Sequence, residues 1–214
     1  MRVISPKIHV SNIVQPLHPK QLTSDSSFER VRLANLTASG VVLKNFSLEE
    51  SLCDKVQIIQ SDLERLVLAD VVVRASDFSA ANCAGSGLRR VTITGCRLSG
   101  IDFSNARLKD VVFEDCKLDM ANFRTAQLER VSFKDCSLQA TDFPMSKLKD
   151  ITFSGSTLDG VLFGNSTMQN LDLRSASLGM IHGIESLKGA VIDTVQLVSL
   201  APQLATALGM DIQE

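Results

Sequence analysis

The chain has 214 residues, enough for one sizeable domain or two small ones with a packed core. Lys and Arg total 22 against 24 Asp and Glu, a formal net charge of −2, so no basic field is present to draw nucleic acid. Ten Phe stand beside no Trp and no Tyr, which leaves little for stacking single-stranded bases, and the five Cys include no C-x-x-C pair.

The N-terminal segment opens "MRVISPKIHVSN", without the apolar run of a secretory signal. No stretch approaches the ~20 continuous apolar residues that cross a bilayer. A soluble, cytoplasmic protein with reduced thiols and no membrane partner is expected. Pro6, Pro16 and Pro19, set among Val3, Ile4, Ile8, Val10, Ile13 and Val14, predict an extended cap over residues 1–25.

From residue 26 to 182 the apolar residues keep a fixed timetable. Between Leu63 and Leu178, every residue whose number leaves 3 on division by five is apolar. Two places earlier stands a small or apolar residue, as at Ala81, Cys96, Ile101 and Val111, and all charges from 61 to 180 fall on the other three positions. Five suits neither a helix, where such residues lie 140° apart, nor a continuous strand, where an odd step flips the side chain. The chain therefore turns once per pentad. The phrase "VVFEDCKLDMANF" at 111–123 returns as "VSFKDCSLQATDF" at 131–143, so four pentads make one coil and like residues stack. Phe103, Phe123 and Phe143 form one inward column and Phe113, Phe133 and Phe153 another. Leu118 and Leu138 form a third inward column, and Cys96, Cys116 and Cys136 a fourth. The cysteines read as small apolar filler, and no metal ligand set or cofactor site is predicted.

The pentads "IDFSN" at 101–105, "ANFRT" at 121–125 and "TDFPM" at 141–145 resemble the pentapeptide-repeat family. The resemblance implies an all-β solenoid, a right-handed quadrilateral parallel β-helix, here of nearly eight coils and ~35–40 Å long at ~4.8 Å per coil.

Outward columns also read at twenty-residue spacing. Asp62, Asn82, Asp102, Asn122 and Asp142 alternate acid with amide, and Asp102, Asn122 and Asp142 are candidates for an outer-face interaction. Lys109, Glu129 and Lys149 stand beside Asp110, Arg130 and Asp150 as a checkerboard, which reads as charge complementarity between coils. Val72, Thr92, Val112, Ser132, Thr152 and Asp172 predict a smoother, β-like side. Val112 and Leu162 read as scattered surface apolars, with a docking strip as the alternative.

The frame fails after Ile181, and residues 183–214 are set apart as a loop and a helical cap. Leu197, Leu200, Leu204 and Leu208 follow helical spacing, with Asp193 or Thr194 as cap and Pro202 predicting a kink or two short helices. These leucines are candidates for covering the last coil or for a two-fold contact. C-terminal elements of the family's topoisomerase-interacting members make dimers, so the resemblance implies a homodimer.

His9, His18 and His182 share no ligand spacing, and no catalytic constellation is legible. The expected function is therefore a non-enzymatic scaffold that binds another protein, without direct nucleic-acid contact. The resemblance offers an alternative, a DNA-mimicking modulator of gyrase or another topoisomerase. That role calls for a strongly negative surface, whereas residues 61–180 hold 15 acids against 14 bases.

Overall fold

The computed structural model describes residues 2–8, 13 and 15–211. His9, Val10 and Val14 of the predicted N-terminal cap lie outside the described residues. The chain is a parallel β-solenoid of four-sided coils, and from Ser27 to His182 the register between coils is twenty residues. Leu68 pairs with Leu88, Leu88 with Leu108, Leu108 with Leu128, Leu128 with Leu148, and Leu148 with Met168. Apolar residues repeat at this spacing because only an in-register stack gives each of them an apolar neighbour above and below.

The four sides are not equivalent. Two adjacent sides share long strands that run through their common corner, at Val67–Arg74, Gly87–Thr94, Arg107–Glu114 and Gln127–Lys134, then Lys147–Thr152 and Thr167–Asp172. The column from Val72 to Asp172 lies in this ladder. On the other two sides single bridges suffice, such as Asp102↔Asn122 and Lys117↔Ser137. Their corners are tight turns closed by bonds such as Ala106 N–H to Phe103 O, 3.1 Å.

Every corner uses the same backbone device. Each residue whose number is a multiple of five, from Asp25 to Ser175, is left-handed, with φ between 46° and 69°. This turns its N–H along the rod axis toward a carbonyl of the next coil: Asn105 donates to Arg124 O at 3.0 Å and Met120 to Gln139 O at 2.8 Å. A non-Gly residue there costs about 1–2 kcal/mol of local strain. Asn and Asp tolerate it best, yet Met120, Arg130 and Met145 hold it too, because the stack on both sides leaves the backbone no alternative.

Inside, the Phe rings stack at the coil spacing. Phe113, Phe133 and Phe153 lie 5.0 and 4.9 Å apart and nearly parallel, and Phe103, Phe123, Phe143 and Phe163 form a second stack at 4.9–5.4 Å. The two stacks meet edge to face, as between Phe123 and Phe133 at 6.2 Å and 81°. In the earlier coils Leu, Val, Ile and Cys take these places less tightly. Two apolar cavities of 40 and 30 Å³ lie there, one lined by Leu33, Phe46 and Cys53, the other by Leu68, Val73 and Ile93.

The ends are treated differently. At the start, Gln15–Pro16 pairs with Val31 and Arg32, while Leu17 and Leu22 pack against the core. At the other end, Gly183 is left-handed (φ 75°), and a Cβ there would sit 2.7 Å from the Gly164 nitrogen, so only glycine fits. Beyond it the step falls to nineteen, with Val191 bridging Asp172. The α-helix Thr194–Ala207 follows. Pro202 was expected to kink the helix or divide it in two; it lies within a single helix, and Val198, whose carbonyl Pro202 cannot bond, is exposed. No helix among the described residues is long and apolar enough to cross a membrane.

Candidate interaction surfaces

The structure places the inward columns in the core. Phe113, Phe123, Phe133, Phe143, Phe153, Leu118 and Leu138 are fully buried, and Phe103 nearly so. Cys96, Cys116 and Cys136 are buried, each thiol donating to the carbonyl two residues back at 3.2–3.3 Å. Hydrogen bonding to Cys116, then burial, pushes the Cys96 and Cys136 thiols upward, and burial alone takes Cys53 up to about 12. A thiol raised by burial, as Cys53 is, is no ready nucleophile or metal ligand, whereas hydrogen bonds with Cys136 and Cys96 draw Cys116 downward. No group of three or more His, Cys, Asp or Glu among the described residues is arranged to hold a metal.

The Asp62–Asp142 column is largely occupied in holding corners. The Asp102 carboxylate accepts the Ser104 N–H at 2.8 Å and the Asn122 amide at 3.0 Å, and Asn122 in turn accepts the Arg124 N–H at 2.9 Å. Alternation of acid and amide thus supplies a donor for every acid below. Asp142 departs from the pattern: Pro144 has no N–H to donate, and Leu162 stands on the next coil, so this carboxylate is left facing outward. Val112 and Leu162 are half-buried and stand in different columns, so they form no continuous docking strip.

The four leucines of the helix divide. Leu200 is 1% exposed and Leu204 packs partly against the core, whereas Leu197 and Leu208 point outward. The helix is anchored by two amides that its leucine pattern does not reveal. Gln196 donates to Leu173 O and Ala176 O at 2.5 and 2.7 Å, while Gln203 donates to Gly179 O and accepts the Ile181 N–H, both at 2.9 Å. These bonds satisfy carbonyl and amide groups at the open end of the stack. Asp193 and Gln196 also form a capping box, whose D-x-x-Q spelling is readable in the sequence. The outer helix face carries Val195 (80% exposed), Val198 (71%) and Leu208 (72%), and no residue from Thr194 to Ala207 is charged.

One corner between the two long sides is built from ion pairs. Along it run Asp70, Arg90, Asp110, Arg130, Asp150 and Asn170. Arg90 grips Asp70 through two bonds, Arg130 grips Asp110 at 2.7 and 2.8 Å, and Asn170 donates to Asp150 at 2.8 Å. Asp70 and Asp110 are only 4% and 3% exposed. The arginine hydrogen bonds hold both carboxyl groups below the usual carboxylate range, against the opposing effect of burial. Residues 2–8 contribute to this site. The Ile4 N–H donates to Asp110 at 3.2 Å and the Lys7 N–H to Asp70 at 2.8 Å. This segment therefore runs along the side of the rod toward its first coil, and does not cover the end as the predicted cap would. The alternating charges are legible in the sequence; the burial of the two acids and the arm against them are not, since the contacts span 106 and 63 residues.

A family model described as a pentapeptide repeat region matches residues 86–163. Among solved structures, the chain is similar to HetL of the cyanobacterium Nostoc sp., a pentapeptide repeat protein involved in heterocyst differentiation regulation. That likeness has a TM-score of 0.51 at 14% identity and covers 77% of this chain and 90% of HetL. It gives the fold as a right-handed quadrilateral β-helix. Trypsin-treated QnrB1, a plasmid-mediated fluoroquinolone resistance protein, is 21% identical over 94% of this chain and 97% of its own, with a TM-score of 0.41. A pentapeptide repeat protein of the Arabidopsis thaliana thylakoid lumen is 29% identical over 50% of this chain and 76% of its own, with a TM-score of 0.40. No curated protein matches the chain.

Proposed function

The chain is a pentapeptide-repeat protein, and from that premise we propose that it works without catalysis, as a rigid rod whose outer faces are read by another protein. The observation that carries this reading is the use of its outward polar groups. Acids, amides and arginines are paired from coil to coil at twenty-residue steps, as in Asp102 with Asn122 and Asp110 with Arg130. Such pairs give fixed shape, and the groups they engage are not free to act as an acid–base couple or a nucleophile. Recovery of a stoichiometric protein partner from native extract is the expected result; a rod that retains none at micromolar concentration refutes the reading.

Two copies of the chain are proposed to join through the outer helix face. Val195, Val198 and Leu208 form an uncharged apolar surface at one end of the rod, and a two-fold contact there would cover it. Val198→Asp is expected to convert a sedimenting dimer into a monomer without loss of fold, because Val198 is outside the core. Leu204 is a poorer choice, since it packs on the last coil. A monomeric wild type refutes the dimer.

The topoisomerase reading is tested by gyrase supercoiling in the presence of the rod. A DNA mimic needs a run of one charge, and the corner column instead interleaves Arg90 and Arg130 with its acids. No inhibition and no protection against a fluoroquinolone are expected; either effect at micromolar protein would overturn the simple scaffold.

A further inference from the structure

We infer that the corner bearing Asp70 and Asp110 is a docking track for an extended, proline-containing peptide, filled in the free chain by its own residues 2–8. This goes beyond the scaffold and dimer readings and does not depend on either. It rests on two hydrogen bonds and on a match of lengths.

Asp70 and Asp110 occupy the same corner of alternate coils, so about 9.6 Å separates them at ~4.8 Å per coil. The donors that meet them, Ile4 and Lys7, are three residues apart. A polyproline II helix advances ~3.1 Å per residue and returns each N–H to the same side after three residues, a repeat of about 9.3 Å. A β-strand returns its N–H after two residues, about 6.7 Å, and falls out of register with the carboxylates. The track is thus tuned to polyproline II. Pro6 sits between the two donors, where no N–H is called for, and it biases Ser5 toward the same extended conformation.

The acceptors are fixed in advance. Asp110 Oδ1 receives the Arg130 Nε at 2.7 Å as well as the Ile4 N–H, and Asp70 Oδ1 receives the Arg90 Nε at 2.6 Å as well as the Lys7 N–H. Held by arginine on a rigid ladder, the carboxylates need no reordering to bind a peptide. The arm supplies only backbone groups to them, and Ile4 and Lys7 are exposed. The track therefore reads conformation and donor spacing more than side-chain identity. Asp150, two coils beyond Asp110, continues the column with an amide partner in place of arginine, so that end is the more negative. The fitting segment is one with proline between two free N–H groups three apart and a basic residue toward its N-terminus, as Arg2 is here.

Two substitutions in the arm of the full-length chain test this without touching the rod. Lys7→Pro preserves the polyproline II geometry and deletes one donor; Ser5→Pro stiffens the arm and keeps both. The readouts are amide exchange at Ile4 and the binding of a fluorescent peptide of residues 2–8 added in trans. Lys7→Pro is expected to speed Ile4 exchange at least tenfold and to bind the peptide at least tenfold more tightly than the wild-type chain, whose track is filled. Ser5→Pro is expected to exchange no faster than wild type at Ile4. Unchanged Ile4 exchange in Lys7→Pro overturns the inference, and so does faster exchange without any gain in peptide binding.

Discussion

Replacing Phe133 by Ala removes a ring with four aromatic partners, a number matched by Phe143. Phe133 is fully buried, stacked between Phe113 at 5.0 Å and Phe153 at 4.9 Å, and it meets Phe123 and Phe143 edge to face at 6.2 and 6.3 Å. Losing a buried Phe to Ala costs about 3–5 kcal/mol through transfer and the residual cavity. Each aromatic contact adds roughly 0.5–1.5 kcal/mol beyond area burial. The walls cannot collapse into the hole, because the strand Gln127–Lys134 is bonded to Arg107–Glu114 on one side and Lys147–Thr152 on the other. The loss should therefore reach the upper end, about 5 kcal/mol. Phe28 supplies the control: it is half-buried, with Phe46 at 5.8 Å, and Phe28→Ala should cost only about 1–2 kcal/mol. With no Trp or Tyr in the chain, urea titration is best followed by far-UV circular dichroism, comparing midpoints at constant slope. A gap between the two variants of less than ~1 kcal/mol would refute the claim that stacked, uncollapsible columns hold the rod together.

Ile93→Phe should extend the Phe113–Phe153 stack by one coil into the 30 Å³ cavity that Ile93 lines, stabilising the chain by about 0.5–1.5 kcal/mol in the same titration. Gly183→Ala should destabilise by more than ~2 kcal/mol, since its Cβ would meet the Gly164 backbone at 2.7 Å while φ stays at 75°; a neutral result would mean the closing turn has another conformation. Asp70 and Asp110 are held low in the folded state, first by Arg90 and Arg130. Their contribution is complete above the unfolded carboxylate value of ~3.9 and fades as pH falls through the depressed folded values. Acid titration of Asp110→Ala should thus lose less stability below pH ~4 than wild type; parallel curves would show that Asp110 titrates normally.

The pentad frame, the four-pentad coil and the inward columns are legible in the chain because each coil must offer its neighbours the same chemistry at the same place. A stack built on one repeat writes that repeat into every apolar position, from Leu63 to Leu178. The checkerboard of Asp110, Arg130 and Asp150 is visible for the same reason. Legibility ends where contacts leave the repeat. Left-handed corners accept Met120 or Arg130 because the coils above and below impose the backbone, so residue type there is a weak guide. Leucine spacing predicts the C-terminal helix, yet its rotation on the last coil was settled by Gln196 and Gln203 reaching carbonyls twenty or more residues away. That rotation turned Leu200 inward and Leu197 outward. The placing of residues 2–8 against Asp70 and Asp110 likewise depends on the finished rod. Only stacking brings carboxylates forty residues apart to within about 10 Å, the reach of three extended residues.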